Sequence, residues 1–208
     1  MTENLAWDYA ELGRLWLGID RKKSEASYQK SLEAYADFPL GLEGLGKIAA
    51  AKGDLDQALA NFQKAFDTLP LPQFAARISE IYAKKGNQDK AAIYQKLVEI
   101  GYQSIAAKGS DTDLEWAEFL AFHGLDPDRA LALARSAYDK RPNIFAADTL
   151  AWVLYQKQQL TEAEKFSDLA LRTNSKNSLI RHHSCMITRA VGKKTRIALC
   201  KPPLLEAY

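Results

Sequence analysis

A spacing of 32 to 34 residues recurs along this chain of 208 residues, and it constrains the fold more than any single motif does. The tripeptide aromatic-Gln-Lys begins at Tyr28, Phe62 and Tyr94, with intervals of 34 and 32 residues. Gly53 recurs 33 residues later as Gly86. Because self-similarity at such a period is typical of stacked repeats, the sequence predicts a repeat architecture.

The pattern within each unit predicts two helices. Apolar residues recur at steps of three and four, as in Ala58, Phe62 and Ala65, while strand-like alternation is absent. Asp54 and Asp126 each follow a glycine-containing break, so we expect them to be the N-caps of second helices. The chain is therefore predicted to be all-α.

The units resemble the tetratricopeptide repeat, in which large and small apolar residues occupy fixed places in two helices. The unit that begins at Pro39 carries the pattern in Leu42, Leu45, Gly46, Ala58, Phe62, Ala65 and Pro70. The resemblance covers roughly residues 5–192. It implies a right-handed solenoid of antiparallel helix pairs with about five and a half repeats, because Pro202 and Pro203 interrupt the last helix.

The predicted domain organisation is a single array over residues 1–208. Front repeats occupy about 5–100, a connecting segment 101–113 and back repeats about 114–192. A basic, proline-containing tail follows at 193–208.

The resemblance also implies a function and a site. Arrays of this family line a concave groove with side chains of their first helices, so we expect a non-enzymatic scaffold or adaptor that binds a peptide or protein segment. The predicted groove consists of Trp7, Arg14, Glu43, Lys47, Glu80, Lys84, Glu118, Phe122, Asp148, Trp152, Tyr155, Gln156, His182, Met186 and Arg189. Trp152 and Tyr155, three apart on one helix face, are expected to be exposed.

The same positions favour one kind of partner. Some family members bind carboxylate termini through a Lys/Asn pair, and no unit here carries that pair. A mixed acidic and aromatic groove suits a segment with basic and apolar residues instead.

Two alternatives concern the C-terminal end. Residues 176–208 hold seven basic side chains and one acid, although the whole chain has a net charge of only +2. The basic charge of this end predicts an accessory or regulatory subunit that docks an acidic partner. A nucleic acid is the less favoured partner, because aromatic residues are not interleaved with the basic ones. Self-association through the apolar residues near Pro202 is the other alternative.

Motifs for catalysis or cofactors are weak. Residues 41–47 fit the frame G-x-x-x-x-G-K, but Ile48 follows the lysine where a phosphate-binding loop needs Ser or Thr. His182, His183, Cys185 and Cys200 lack the spacing of a metal site. We therefore expect no enzyme activity, catalytic residue, cofactor or metal.

The N-terminal residues, the lengths of the apolar runs and the number of cysteines together predict the cellular location. The first residues do not form a secretory signal, and no apolar run is long enough to span a membrane. Two cysteines are too few for a disulfide scaffold, so we expect reduced thiols and a cytoplasmic location.

Overall fold

The computed structural model describes residues 2–193, which form eleven helices and no strand. The helices are α1 (Glu3–Trp16), α2 (Arg21–Ala34), α3 (Pro39–Ala51), α4 (Leu55–Thr68), α5 (Pro72–Lys84), α6 (Gln88–Ala107), α7 (Asp113–His123), α8 (Pro127–Lys140), α9 (Ile144–Gln156), α10 (Leu160–Ala170) and α11 (Ser178–Ala190). The predicted all-α fold is confirmed for these residues. The predicted second helix of a sixth repeat lies outside them.

The chain divides after Ala107 into two compact units. Unit 1 contains three packed helix pairs, α1 with α2, α3 with α4 and α5 with α6. Unit 2 contains the pairs α7 with α8 and α9 with α10, followed by α11. Within each unit the second helix of one pair also contacts the first helix of the next, as in stacked helical repeats. Helix α6 has 20 residues and continues through Ala107, which lies inside the predicted connecting segment.

Small residues mark the close contact of the two helices in each pair. Second helices carry them seven positions apart, and all are buried. They are Ser24 and Ser31, Ala58 and Ala65, Ala130 and Ala137, and Ala163 and Ala170. Helix α6 departs from this pattern because the equivalents are Ala91 and the larger Val98.

Tyr28 shows why glycine is needed on the first helices. Its ring is 4% exposed and lies against Gly13 of α1 and Gly44 of α3. A Cβ atom on Gly44 would be 2.2 Å from Tyr28 Cε1 and Cζ, and one on Gly13 would be 2.8 Å from Cδ1. Only glycine allows this aromatic ring to join two successive helix pairs without displacement.

The turns between paired helices follow local rules. Asp54 accepts a hydrogen bond from the backbone N–H of Gln57, and Asp126 accepts one from that of Arg129, so both predicted N-caps are confirmed. Gly53, with φ of 81°, and Gly86, with φ of 78°, end the first helices of their pairs in the left-handed region. The glycines therefore end the first helix of each pair, and the aspartates begin the second helix, which runs antiparallel to the first.

A row of surface ion pairs connects successive repeats, and we call it the lysine ladder. In each case a lysine just after a first helix contacts an acid in the second helix of the preceding repeat. The pairs are Lys52 with Glu25 and Lys85 with Asp56 in unit 1, and Lys157 with Asp128 and Lys193 with Glu164 in unit 2. The hydrogen bond from Lys157 holds the pKa of Asp128 below its ordinary value.

The structure can be compared with two of the sequence features from which the location was predicted, the lack of a membrane span and the state of the cysteines. None of the described helices is both long and apolar enough to cross a membrane. Cys185 is 1% exposed, and Cys200 lies outside the described residues, so the expectation of reduced thiols stays a prediction. The cysteines therefore add nothing to the predicted cytoplasmic location.

Candidate functional site

The richest group of predicted site residues lies in unit 2, where α9 contacts both α7 and α11. Two hydrogen bonds fix α9 against α7. Thr149 donates to Glu118 Oε1 over 3.1 Å, and the Gln156 side-chain amide donates to the backbone oxygen of Ala121 over 2.7 Å. These contacts set the rotation of α9 and therefore the direction in which its other side chains extend.

On the other side, α9 is fixed to α11 by a buried pair. His183 Nδ1 lies 2.8 Å from Asp148 Oδ2, with both side chains almost fully buried. A carboxylate can only accept hydrogen bonds, so Nδ1 carries a hydrogen and donates a hydrogen bond to Asp148 Oδ2. The pair thereby holds the imidazole ring in one orientation.

The orientation of His183 determines that of Trp152. The two ring centroids are 4.1 Å apart with planes inclined by 15°, and the Trp152 ring also stacks with Tyr155 at 5.0 Å and 26°. We call Tyr155, Trp152 and His183 the aromatic stack. Trp152 and Tyr155 keep part of their surface exposed, whereas His183 is buried. The stack thus presents two rigidly held aromatic side chains to solvent.

Glu118 supplies negative charge next to this stack. Loss of bulk water around its carboxylate raises its pKa to about 7, and the nearby Glu115 and Asp148 act in the same direction. The hydrogen bond from Thr149 and the neighbouring His183 act to lower that pKa. The residue as a whole stays more than a third exposed, so solvent screens part of the effect.

The raised pKa predicts a pH-dependent effect of Glu118→Gln on stability. The folded-state pKa lies above the ordinary 4.5, so the contribution of Glu118 to stability is complete below pH 4.5 and is lost as pH rises through about 7. A glutamine at position 118 is neutral at every pH, so the variant lacks this pH dependence. At pH 8 we expect the variant to melt about 2–4 °C above wild type, which corresponds to a stability gain of roughly 1 kcal/mol once solvent screening of the charge is included. At pH 4.5 we expect both proteins to melt at the same temperature.

Thermal unfolding followed by circular dichroism at the two pH values measures this difference. Glu33→Gln, at an exposed position of α2, is the matched control and should leave both melting temperatures unchanged. An equal shift at both pH values would contradict the assignment to Glu118 ionisation.

The predicted charges in unit 1 are mostly paired within their own helices. Lys47 Nζ lies 2.7 Å from Glu43, and Arg14 lies 2.8 Å from Glu11. Glu80 lies 3.1 Å from Arg77. Lys84 is exposed, and Trp7 is 52% exposed on α1. Because these charges neutralise one another locally, unit 1 presents a less charged surface than its composition suggests.

The remaining predicted residues flank the aromatic stack on α7 and α11. Phe122 is 48% exposed, and its ring meets that of His123 edge to face. His182 and Met186 are partly exposed on α11, and the His182 ring lies 6.3 Å from that of His183. Arg189 is exposed in the last turn of α11. Unit 2 therefore brings together side chains from three first helices.

Sequence reasoning missed two contributors to this site, His183 and Thr149. The sequence analysis treats His183 only as a candidate metal ligand beside His182. The signal that could have identified it is its separation of 35 residues from Asp148, about one repeat, because equivalent positions on successive first helices are neighbours. Thr149 and Glu118 show the same relation, with a separation of 31 residues.

The weak chemical motifs also have structural explanations. Residues 41–47 lie within α3 and not in a loop, and Gly44 and Gly46 of this segment are buried against Tyr28 and Phe62. A helix interior does not offer free backbone N–H groups to a phosphate. Among residues 2–193, no three His, Cys, Asp or Glu side chains form a group that could hold a metal ion.

Comparison with known proteins places this geometry in a known fold. No family model and no curated protein matches the sequence. Among solved structures, a tetratricopeptide repeat protein from Parabacteroides merdae is 13% identical, with a TM-score of 0.51 over 94% of this chain and 77% of that one. PilW, a type IV pilus biogenesis factor, is 16% identical, with a TM-score of 0.56 over 93% and 89%. PilF from Pseudomonas aeruginosa is 13% identical, with a TM-score of 0.54 over 94% and 88%.

These likenesses agree with the repeat register and the helix pairing inside each unit. The chain has the tetratricopeptide-repeat fold. At these identities the likeness concerns the fold alone, so function has to be argued from the site.

Proposed function

We propose that this protein is a non-enzymatic interaction scaffold that binds a peptide or protein segment on the face formed by α7, α9 and α11. The observation that carries the proposal is the aromatic stack, in which Trp152 and Tyr155 are partly exposed and held by a buried partner. Stacked helical repeats use their concave surfaces for binding, which agrees with this location on first helices.

Rigidity is what makes these two rings suitable anchors. Aromatic side chains bury a large area on binding, and a ring that is already fixed loses little conformational freedom when a partner covers it. Trp152 is fixed by His183, which is in turn fixed by Asp148. The affinity of such a surface is expected to reside mainly in the two rings, as in other binding hot spots.

The same contacts support a binding role over a catalytic one. An acid–imidazole pair can act as a general base only if the second ring nitrogen reaches a substrate. Here the imidazole is buried, and its face is stacked on Trp152. The pair therefore serves to position an aromatic ring.

The proposal is tested by removing both rings. Random 12-residue peptides displayed on phage are selected against the whole protein, and their dissociation constants are then measured for Trp152→Ala/Tyr155→Ala. We expect the double variant to weaken binding at least about 30-fold, because the loss of even one hot-spot aromatic typically costs about 2 kcal/mol or more.

Tyr35→Ala is the matched control, since Tyr35 is 46% exposed at the end of α2 and lies outside the predicted groove. It should leave the dissociation constants unchanged, and circular dichroism should show the same helix content in all variants. Binding of equal strength to the double variant would refute the site, and the absence of any binder to wild type would refute the function.

The other functional predictions remain proposals. Docking of an acidic partner through the basic tail concerns residues 193–208, of which all but Lys193 lie outside the described part. It predicts binding that weakens at high salt and on removal of residues 193–208. Self-association predicts a mass above that of a monomer at high concentration. The groove in unit 1 and the cytoplasmic location likewise stay predictions.

A further inference from the structure

The position of Trp152 relative to Glu118 follows from the hydrogen bonds between α7 and α9. Thr149 bonds to Glu118, and Gln156, seven residues further along α9, bonds to the backbone of Ala121. Residues separated by three, four and seven positions lie on one face of a helix. Trp152 is between Thr149 and Gln156 on that face, so it lies beside the segment of α7 that starts at Glu118.

The opposite side of Trp152 is occupied by His183 of α11. The indole therefore lies at the middle of the three first helices, with the carboxylate of Glu118 towards α7 and the Asp148–His183 pair towards α11. Tyr155, one turn further along α9, extends the aromatic surface. A partner that covers the rings therefore comes close to Glu118.

The charge of the Glu118 carboxylate is not balanced by an ion pair within the described part of the chain. Asp148 is hydrogen-bonded to His183, but Glu118 accepts only the neutral hydroxyl of Thr149 and forms no ion pair with any residue of 2–193. Glu115, one turn before it on α7, adds a further acid whose charge acts on Glu118. No cationic side chain of residues 2–193 forms an ion pair with Glu118, and a partner can supply one.

We propose that this surface recognises an arginine or lysine side chain flanked by an apolar residue in the partner segment. The cationic group pairs with the Glu118 carboxylate, and the apolar residue packs on the exposed parts of Trp152 and Tyr155. The inference rests on the proposed function and adds the chemical class of the partner.

Electrostatics and desolvation favour a segment with a basic and an apolar residue over an acidic or a purely apolar segment. An acidic segment would be repelled by Glu118 and Glu115. A purely apolar segment would bury the Glu118 carboxylate without a partner, and an uncompensated buried charge opposes binding. A basic side chain balances that charge, and its methylene stem packs favourably against aromatic rings.

The test compares the phage-selected peptides on wild type and on Glu118→Gln. We expect the selected sequences to be enriched in Arg or Lys next to an apolar residue, and Glu118→Gln to weaken their binding at least tenfold. Glu33→Gln, which makes the same charge change on α2, should leave binding unchanged.

A second arm examines the pairing directly. In the selected peptides that contain arginine, that residue is replaced by citrulline, which keeps the shape and removes the charge. Citrulline should weaken binding to wild type about as much as Glu118→Gln does, and it should cause little further loss on that variant.

The outcomes distinguish the two proposals. Peptides without basic residues, or peptides that bind Glu118→Gln as well as wild type, overturn the cation site, and the proposed function stands if they still require Trp152 and Tyr155. Peptides that bind the Trp152→Ala/Tyr155→Ala variant unchanged overturn the proposed function itself.

Discussion

Phe62→Ala is expected to lower the free energy of unfolding in unit 1 by about 3–5 kcal/mol, the usual cost of removing a buried Phe ring. Phe62 is 2% exposed on α4 and packs in a cluster with Ile78 and Tyr82 of the next helix pair. Its ring lies so close to Gly46 of α3 that a Cβ there would be 2.7 Å from Cε1. The surrounding helices are fixed by their own contacts, so the cavity cannot collapse fully.

Native-state hydrogen exchange of the amides of α3–α6 measures this loss, and unit 2 serves as an internal reference. Phe145→Ala is the matched control, because Phe145 is 51% exposed and its removal should change stability by less than about 0.5 kcal/mol. Gly46→Ala alone should also destabilise unit 1, but it should cost less in the Phe62→Ala background, where the ring no longer opposes the new methyl group. Strict additivity of the two changes would contradict the packing described.

Asp148→Leu is expected to destabilise unit 2 by about 1–3 kcal/mol, because it leaves the buried Nδ1–H of His183 without an acceptor. It should also release the His183 ring, so the indole N–H resonance of Trp152 should shift and broaden. Asp148→Asn keeps an oxygen that can accept the hydrogen bond and should retain most of the stability and the wild-type resonance.

Hydrogen exchange in α9 and α11 reports the stability, and a spectrum of Trp152→Ala identifies the resonance. Asp139→Leu, an equivalent change at an exposed position of α8, is the control and should leave both readings unaltered. A Trp152 resonance that is the same in Asp148→Leu and wild type would show that the buried pair does not position the aromatic stack.

Much of the fold was predictable because it depends on short-range pattern. The register of small residues is visible in Ala58 and Ala65, and the N-caps are visible in Asp54 and Asp126, since each acts on residues within the same helix pair. The extension of α6 to Ala107 was not predicted, because the sequence analysis begins a connecting segment at Gly101, whereas a single glycine does not end this helix.

The site was less predictable for a physical reason. Position in a repeat indicates that a residue such as Asp148 lies on a first helix, but its partner and its burial depend on the neighbouring repeat. The sequence analysis placed Asp148 in an open groove, whereas its side chain is buried against His183. The spacing of three places Trp152 and Tyr155 on one helix face, whereas Trp152 also stacks on a third ring, that of His183 on α11, which the spacing does not indicate.

The lysine ladder bears on how the length of such a protein can change during evolution. In unit 1, Lys52 contacts Glu25 and Lys85 contacts Asp56, so the second helix of each preceding repeat offers an acid to whichever repeat follows. If the repeat of α3 and α4 were lost in a single deletion, Lys85 would face Glu25 and the charge contact would form again. Gain or loss of a whole repeat therefore preserves this contact, whereas a deletion of a few residues breaks it, which favours change in units of one repeat.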